Sequence, residues 1–259
     1  MSTRKRQKQE ARVRRLELEA ALRERDRRKR RRNSLAAATT AVLVLGGGAA
    51  AIGGGPNHTS QAAVPPGELA PLASLGKLSP AGTPGAVGPE VVPVPDAPPL
   101  AGGGSASASS TIDGIRCQGA EQVLFHIHAH LTVFVNGAPR RIPYGIRIPN
   151  ARVTSTPAGP YVAAGSCFYW LHTHASDGII HIESPVQRTY TLGNFFDVWG
   201  QQLSSNDVGP VRGPVTALYN GHVFRGNPRD IPLTKHAQIQ LEAGRPRVGP
   251  VRITFPAGL

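Results

Sequence analysis

The chain has 259 residues, a formal net charge of +13, 40% hydrophobic residues and only two cysteines. The charge alone would suggest a nucleic-acid partner, but residues 1–33 hold fifteen Lys/Arg against five Asp/Glu, so that about +10 belongs to this tail and +3 to all the rest. A charge confined to one end, next to an apolar run, argues against nucleic-acid binding.

The segment that follows the basic tail predicts a membrane anchor. Residues 35–52 are uncharged and largely apolar. About 18 to 20 residues at about 1.5 Å each just span a hydrocarbon layer of ~30 Å, and positive flanking charge stays inside. We therefore expect a cytoplasmic tail at 1–33, a single transmembrane helix at 34–54 and an extracytoplasmic remainder at the cell membrane. A cleaved signal peptide is the alternative, and it also implies export.

Residues 55–110 predict a disordered linker. Their composition is dominated by Pro, Gly, Ala and Ser, with no aromatic residue. Such a segment buries too little apolar surface to offset the entropy lost on ordering.

Residues 111–259 predict one mainly β domain, an antiparallel sandwich or barrel-like fold with a single short helix. The helix begins after a Thr191 cap and continues to Leu203, with large apolar residues at spacings of three and four. Asn136-Gly137 and Asn220-Gly221 predict tight hairpins. The predicted strands cover residues 123–135, 140–148, 168–174, 179–183, 215–219, 222–225, 237–242 and 251–255.

The two cysteines, Cys117 and Cys167, both lie in the domain expected outside the cytoplasm. An oxidising compartment favours a disulfide between them, and a thiolate metal ligand is the alternative. The only methionine is Met1, so the Cys, His and Met set of a blue copper site is incomplete.

The histidines are the strongest functional signal. From Leu124 to Val135 the odd positions are apolar, while three even positions are His126, His128 and His130. This period of two is typical of a strand that buries one face and turns its imidazoles to the other.

A second histidine group predicts a hairpin. In the sequence from Trp170 to Pro185, pairing His172 with His181 places histidines on one face and apolar residues on the other. A slip of one residue would mix the two sets, so the hydrophobic pattern favours this register.

Three imidazoles and a carboxylate on neighbouring strands are typical of a transition-metal site, with zinc and copper as the leading ions. The triplet on the other strand would complete this site, form a second one or orient its ligands. The alternative is a solvated sheet face of polar residues without metal. The predicted ligands are His172, His174, His181, His126, His128, His130 and Glu183.

The segments HIHAHL, WLHTH, GIIHIESP and LGNFFDVWG resemble an uncharacterised family of exported, membrane-anchored bacterial proteins. The resemblance covers most of residues 111–259. It implies a genuine exported domain and brings no activity.

Three functional hypotheses follow. The first is a membrane-anchored protein whose domain binds a metal for sequestration, sensing or delivery. The second is a metal-dependent enzyme with a three-His ion and Glu183 or Asp177 as general base, although the chain carries none of the common catalytic motifs. The third is a metal-free module that binds a cell-envelope component, using the sheet and the arginines at 140, 141, 147 and 152.

Overall fold

The computed structural model describes residues 67–103 and 110–259, and in these ranges β-strands predominate. The helical elements are α1 (Leu192–Trp199) and two 3-10 turns, Leu72–Leu75 and Pro228–Asp230. The strands are β1 (Glu68–Ala70), β2 (Cys117–Gln118), β3 (Phe125–Val135), β4 (Ala138–Arg140), β5 (Arg152–Thr156), β6 (Gly159–Ala164), β7 (Phe168–Tyr169), β8 (Leu171–His172), β9 (Ile179–Ser184), β10 (Asp207–Val208), β11 (Val211–Arg212), β12 (Val215–Tyr219), β13 (His222–Arg225) and β14 (Gln238–Ala243). The mainly β prediction with one α-helix is therefore confirmed for the described part of the chain.

The main sheet has eight strands, ordered β1-β13-β12-β14-β3-β9-β8, with β4 pairing on β3. Among the described strands no pairing joins β8 back to β1, so the sheet is open. The β14–β3 pair is parallel and the other pairs are antiparallel, which makes the sheet mixed where the sequence predicts an antiparallel one. The chain between these two parallel strands includes α1 and strands β4 to β13, which provides the long crossover that parallel neighbours need.

The side chains of β3 point alternately to the two faces of the sheet, as its period of two predicts. Its odd residues Ala129, Leu131 and Val133 are buried in one core cluster with the aromatic residues of α1. Its even residues, the histidines among them, face the other way. The helix therefore supports the sheet from the side opposite the histidines.

Both Asn-Gly hairpins are confirmed. Val135 pairs with Ala138 across Asn136-Gly137, and Tyr219 pairs with His222 across Asn220-Gly221. All four turn residues have positive φ, between 50° and 85°, as a tight two-residue hairpin turn requires.

Helix α1 is shorter than predicted. Thr191 caps it by accepting a hydrogen bond from the Asn194 backbone N–H at 3.3 Å. It ends at Trp199 instead of Leu203 because Gly200 adopts the left-handed conformation, with φ 78°, and its N–H bonds to the Asp197 carbonyl.

Two predicted strands are replaced by other structure. The strand predicted over 140–148 does not form, because β4 ends at Arg140 and the Arg141 backbone bonds to Pro98 and Leu100. The chain then turns at Gly145, which has φ 70°. Residues 251–255 form no strand; the Val251 and Ile253 N–H groups donate instead to the side chains of Gln240 and Gln238, at 2.8 Å and 2.9 Å. The β5–β6 hairpin was not predicted.

The disordered linker predicted for 55–110 is wrong over residues 67–103. Strand β1 pairs with β13, and Val92 and Leu100 are buried. A few apolar residues anchor this segment because the folded domain supplies the rest of the core, which composition counted over the segment alone cannot reveal.

The predicted basic tail at 1–33 and transmembrane helix at 34–54 lie outside the described residues. Within the described ranges, no helix has the length and apolar character needed to cross a bilayer.

Cys117 and Cys167 form a disulfide between β2 and the start of β7, which confirms the pairing and removes both from the set of metal ligands. The two residues are 50 positions apart. We expect the Cys117→Ser/Cys167→Ser double variant to lose about 4 kcal/mol of unfolding free energy, because the closed loop restricts the unfolded chain. Urea unfolding with and without a reductant measures this loss. An unchanged midpoint in the variant would contradict it.

Candidate metal centre

The candidate centre is built on a row of histidines that crosses three adjacent strands. His172 on β8 pairs with His181 on β9, which pairs with His128 on β3. In the next row His126 pairs with Glu183. The hairpin register predicted from the hydrophobic pattern is confirmed, and it brings the two histidine groups onto one face.

Four ligand atoms form a closed ring on the β3–β9 side. The distances are 3.1 Å from His126 Nε2 to His128 Nε2, 3.1 Å from His128 Nε2 to His181 Nδ1, 3.2 Å from His181 Nδ1 to Glu183 Oε1, and 3.1 Å from Glu183 Oε1 back to His126 Nε2. All four atoms lie within 4.8 Å of one another. We call these four residues the first set.

A second set lies on the β8–β9 side and consists of His172, His174, His181 and Glu183. The Nε2 atoms of His172 and His174 are 3.0 Å apart. The other ring nitrogen of each histidine has a backbone partner: His172 Nδ1 donates to the Tyr169 carbonyl at 2.7 Å, and His174 Nδ1 donates to the Val162 carbonyl at 2.5 Å. Such bonds fix the tautomer that leaves Nε2 free to bind a metal.

His130 belongs to neither set. Its Nε2 bonds to the Asp177 carbonyl at 2.8 Å, and its Nδ1 lies 3.4 Å from the Thr132 hydroxyl. His130 therefore connects β3 to the turn between β8 and β9. The sequence pattern, in which His130 alternates with His128 on one strand, did not indicate this different role.

The histidine face is covered, although the sequence predicted only that it lies away from the core. His172, His174 and His181 are all buried. The Tyr161 ring stacks on His174 with centroids 5.3 Å apart, and the Glu90 carboxylate meets His181 Nε2 at 2.7 Å. Both covering residues come from segments without a strong sequence signal, the β5–β6 hairpin and the expected linker.

Burial and neighbouring carboxylates divide the histidines into neutral and charged ones. Burial and the charge of His181 lower the pKa of His128 to about 3. Burial, together with His174 and His181, lowers the pKa of His172 well below its ordinary value. For His181 burial acts in the same direction, but hydrogen bonds to Glu183 and Glu90 outweigh it and raise its pKa to about 9.

Glu183 is held as a carboxylate. Its burial opposes the charge, yet hydrogen bonds from His126 and His181 hold the pKa of Glu183 far below its usual range. In the metal-free protein the proton of His181 balances this buried anion, and a metal cation at the same place would do so in its stead.

Sequence reasoning missed two carboxylates near the centre. Glu90 has a side chain only 5% exposed and bonds to His181, while Glu121 Oε1 lies 3.4 Å from His174 Nε2. The one available signal for Glu90 was its position before the short apolar run of residues 91–94, which is unusual for a linker.

Asp177, the two histidines nearer the C-terminus and the four arginines named above belong to neither set. Asp177 is buried, and this burial, together with the charge of Glu90, raises its pKa to about 8, while its Oδ1 accepts the Ile179 N–H. His222 is exposed on β13, and His236 stacks on Phe255. Of the four arginines, Arg147 lies over the Tyr169 ring at 5.6 Å, and Arg152 is exposed on β5.

His130 is expected to contribute less to the stability of the metal-free protein as the pH falls from 7.5 to 5. Burial lowers the pKa of His130 to about 4 from an ordinary 6.5, so the unfolded chain takes up a proton that the folded protein excludes. The contribution of His130 to the unfolding free energy is complete above pH 6.5 and decreases as the pH falls toward 4. At pH 5 this decrease amounts to about 2 kcal/mol.

Urea unfolding at several pH values measures this slope. His130→Gln retains an amide donor for the Asp177 carbonyl and cannot titrate, so wild-type protein should lose stability relative to this variant as the pH falls. Equal slopes in the two proteins would contradict the assignment.

No known protein-family model matches the chain, and neither curated proteins nor solved structures give a significant match. The family resemblance of its motifs therefore stays a prediction.

Proposed function

We propose that this protein is a single-pass, membrane-anchored protein whose extracytoplasmic β domain binds a transition metal, zinc or copper, through its clustered histidines. The main support for this proposal is the ring of the first set, in which neighbouring ligand atoms lie 3.1 to 3.2 Å apart. A point equidistant from four such atoms lies about 1.9 Å from each in a tetrahedral arrangement and about 2.2 Å in a flat one, which brackets the usual metal–nitrogen and metal–oxygen distances.

The donor set agrees with this assignment. Three imidazoles and one carboxylate suit zinc and copper(II), whereas calcium and magnesium prefer oxygen ligands. In the metal-free protein, a proton on His181 provides the positive charge between Glu90 and Glu183. A metal ion bound at His181 Nδ1 would replace that proton, so binding should weaken in acid.

The location rests on sequence features and on the disulfide. The positive tail and apolar segment favour an anchored protein with its N-terminus inside. A disulfide between the two cysteines of the chain is typical of an oxidising compartment outside the cytoplasm.

The first set is better suited to binding and storing a metal ion than to catalysis. Four protein ligands saturate a four-coordinate ion and leave no position for a substrate. The His126 side chain is 36% exposed, while that of Glu183 is 3% exposed, so one edge of the ring reaches solvent. This arrangement suits uptake and release of an ion, as sequestration or delivery requires.

The test is metal titration of the full-length protein in detergent after chelator treatment. Wild-type protein should bind Zn(II) or Cu(II) tightly, and His128→Ala should weaken binding at least about tenfold by removing one ligand of the ring. His222→Ala, an exposed histidine on β13, serves as the matched control and should bind as wild type does. Absence of binding in wild type would refute the proposed function.

A further inference from the structure

The paired histidines of the second set present two lone pairs to one point. His172 Nδ1 and His174 Nδ1 both donate to backbone carbonyls, at 2.7 Å and 2.5 Å, and a carbonyl oxygen can only accept. The neutral form of each ring therefore has an unprotonated Nε2. These two acceptors lie 3.0 Å apart, where they repel each other unless a cation lies between them.

The two imidazoles are enclosed by protein: His172 and His174 are buried, so water cannot solvate their facing Nε2 atoms. Glu121 Oε1 adds further electron density 3.4 Å from His174 Nε2. The second set thus has its own requirement for positive charge, separate from the ring of the first set.

Glu183 belongs to both sets and has one oxygen to offer each. Its Oε1 closes the ring of the first set, at 3.1 Å from His126 Nε2 and 3.2 Å from His181 Nδ1. Its Oε2 is buried and has no hydrogen-bond partner among the described residues. A carboxylate with its two oxygens directed to two ions commonly bridges metals about 3.5–4 Å apart.

We propose that the centre holds two metal ions at once, bridged by the Glu183 carboxylate. The inference rests on the proposed function and extends it. The first ion is bound by His126, His128, His181 Nδ1 and Glu183 Oε1. The second is bound by His172 Nε2, His174 Nε2 and Glu183 Oε2, with a fourth position facing Glu121. His181 serves the first ion, because its Nε2 donates to Glu90 at 2.7 Å.

Copper(II) is the probe that separates one centre from two. Full-length protein, stripped of metal, is titrated with Cu(II) and followed by bound-metal analysis and electron paramagnetic resonance. We expect saturation at two equivalents, with a half-field signal and an integrated intensity well below two independent spins, because the bridging carboxylate couples the ions. Saturation at one equivalent, or two uncoupled spins, would overturn the bridged pair while leaving metal binding intact. Absence of any binding would instead refute the proposed function itself.

Paired variants assign the two positions. His126→Ala/His128→Ala and His172→Ala/His174→Ala should each bind one equivalent and give an uncoupled signal with the intensity of one spin. His222→Ala should keep two equivalents and the coupled signal. If either double variant loses both equivalents while circular dichroism shows the native fold, the histidines form one composite centre and the proposal is wrong. Retention of two coupled ions in either double variant would also overturn it.

Discussion

Replacing Glu183 by Gln is expected to lower the affinity for Zn(II) or Cu(II) at least about a hundredfold, the largest functional effect of any single change. The side chain keeps its size and loses its charge, and the amide can offer only one oxygen where the carboxylate offers two. Because Glu183 contributes to both ligand sets, neither ion retains its anionic ligand. Isothermal titration of the metal-stripped variant measures the change.

The matched control is Glu242→Gln on β14. Glu242 is also a buried carboxylate of the main sheet, but it accepts the Val248 N–H and a Gln240 amide N–H, at 2.7 Å and 2.8 Å. This variant should bind metal with wild-type affinity even where its stability decreases. Equal affinity of Glu183→Gln and wild type would show that the carboxylate is not a ligand.

Among single substitutions, the largest effect on stability is expected from Trp199→Ala, at about 3–5 kcal/mol of unfolding free energy. The Trp199 side chain is fully buried, with ring centroids 5.9 Å from Phe195 and 5.5 Å from Phe196. Its indole N–H also donates to the Gly102 carbonyl at 2.7 Å. The change leaves a cavity in the core and removes one hydrogen bond that holds residues 67–103 to the rest of the domain.

Denaturant unfolding measures this loss, and Trp199→Phe should recover part of it by filling some of the cavity. Since α1 packs on the face of the sheet opposite the histidines, the folded variant should still bind its full complement of metal. A loss below about 1 kcal/mol would contradict the packing described for α1.

The sequence predicted the parts of the centre that depend on local pattern. Period-two alternation placed His126 and His128 on one face of β3, and the sorting of apolar residues in the second hairpin selected the pairing of His172 with His181. Both follow because a sheet that buries one face permits only one register. The ligands on a single hairpin were therefore predictable without knowledge of the rest of the fold.

The parts that depend on distant segments were not predictable in this way. Glu90 approaches His181 from 91 residues earlier in the chain, and Val162 supplies a carbonyl from a hairpin with little alternation. The different role of His130 likewise depends on the Asp177 carbonyl, 47 residues away. Backbone carbonyls have no sequence signature, and composition does not show which segment will cover an exposed face.

The separation of the ring atoms along the chain affects when the protein can acquire the metal ion that we propose for it. His128 and His181 are 53 residues apart and meet only when β3 and β9 have paired. Before this pairing the polypeptide can offer no more than the neighbouring histidines of one strand, which chelate weakly. Under the proposed function, selective loading therefore follows folding, and the ions present where the domain folds determine which metal is captured.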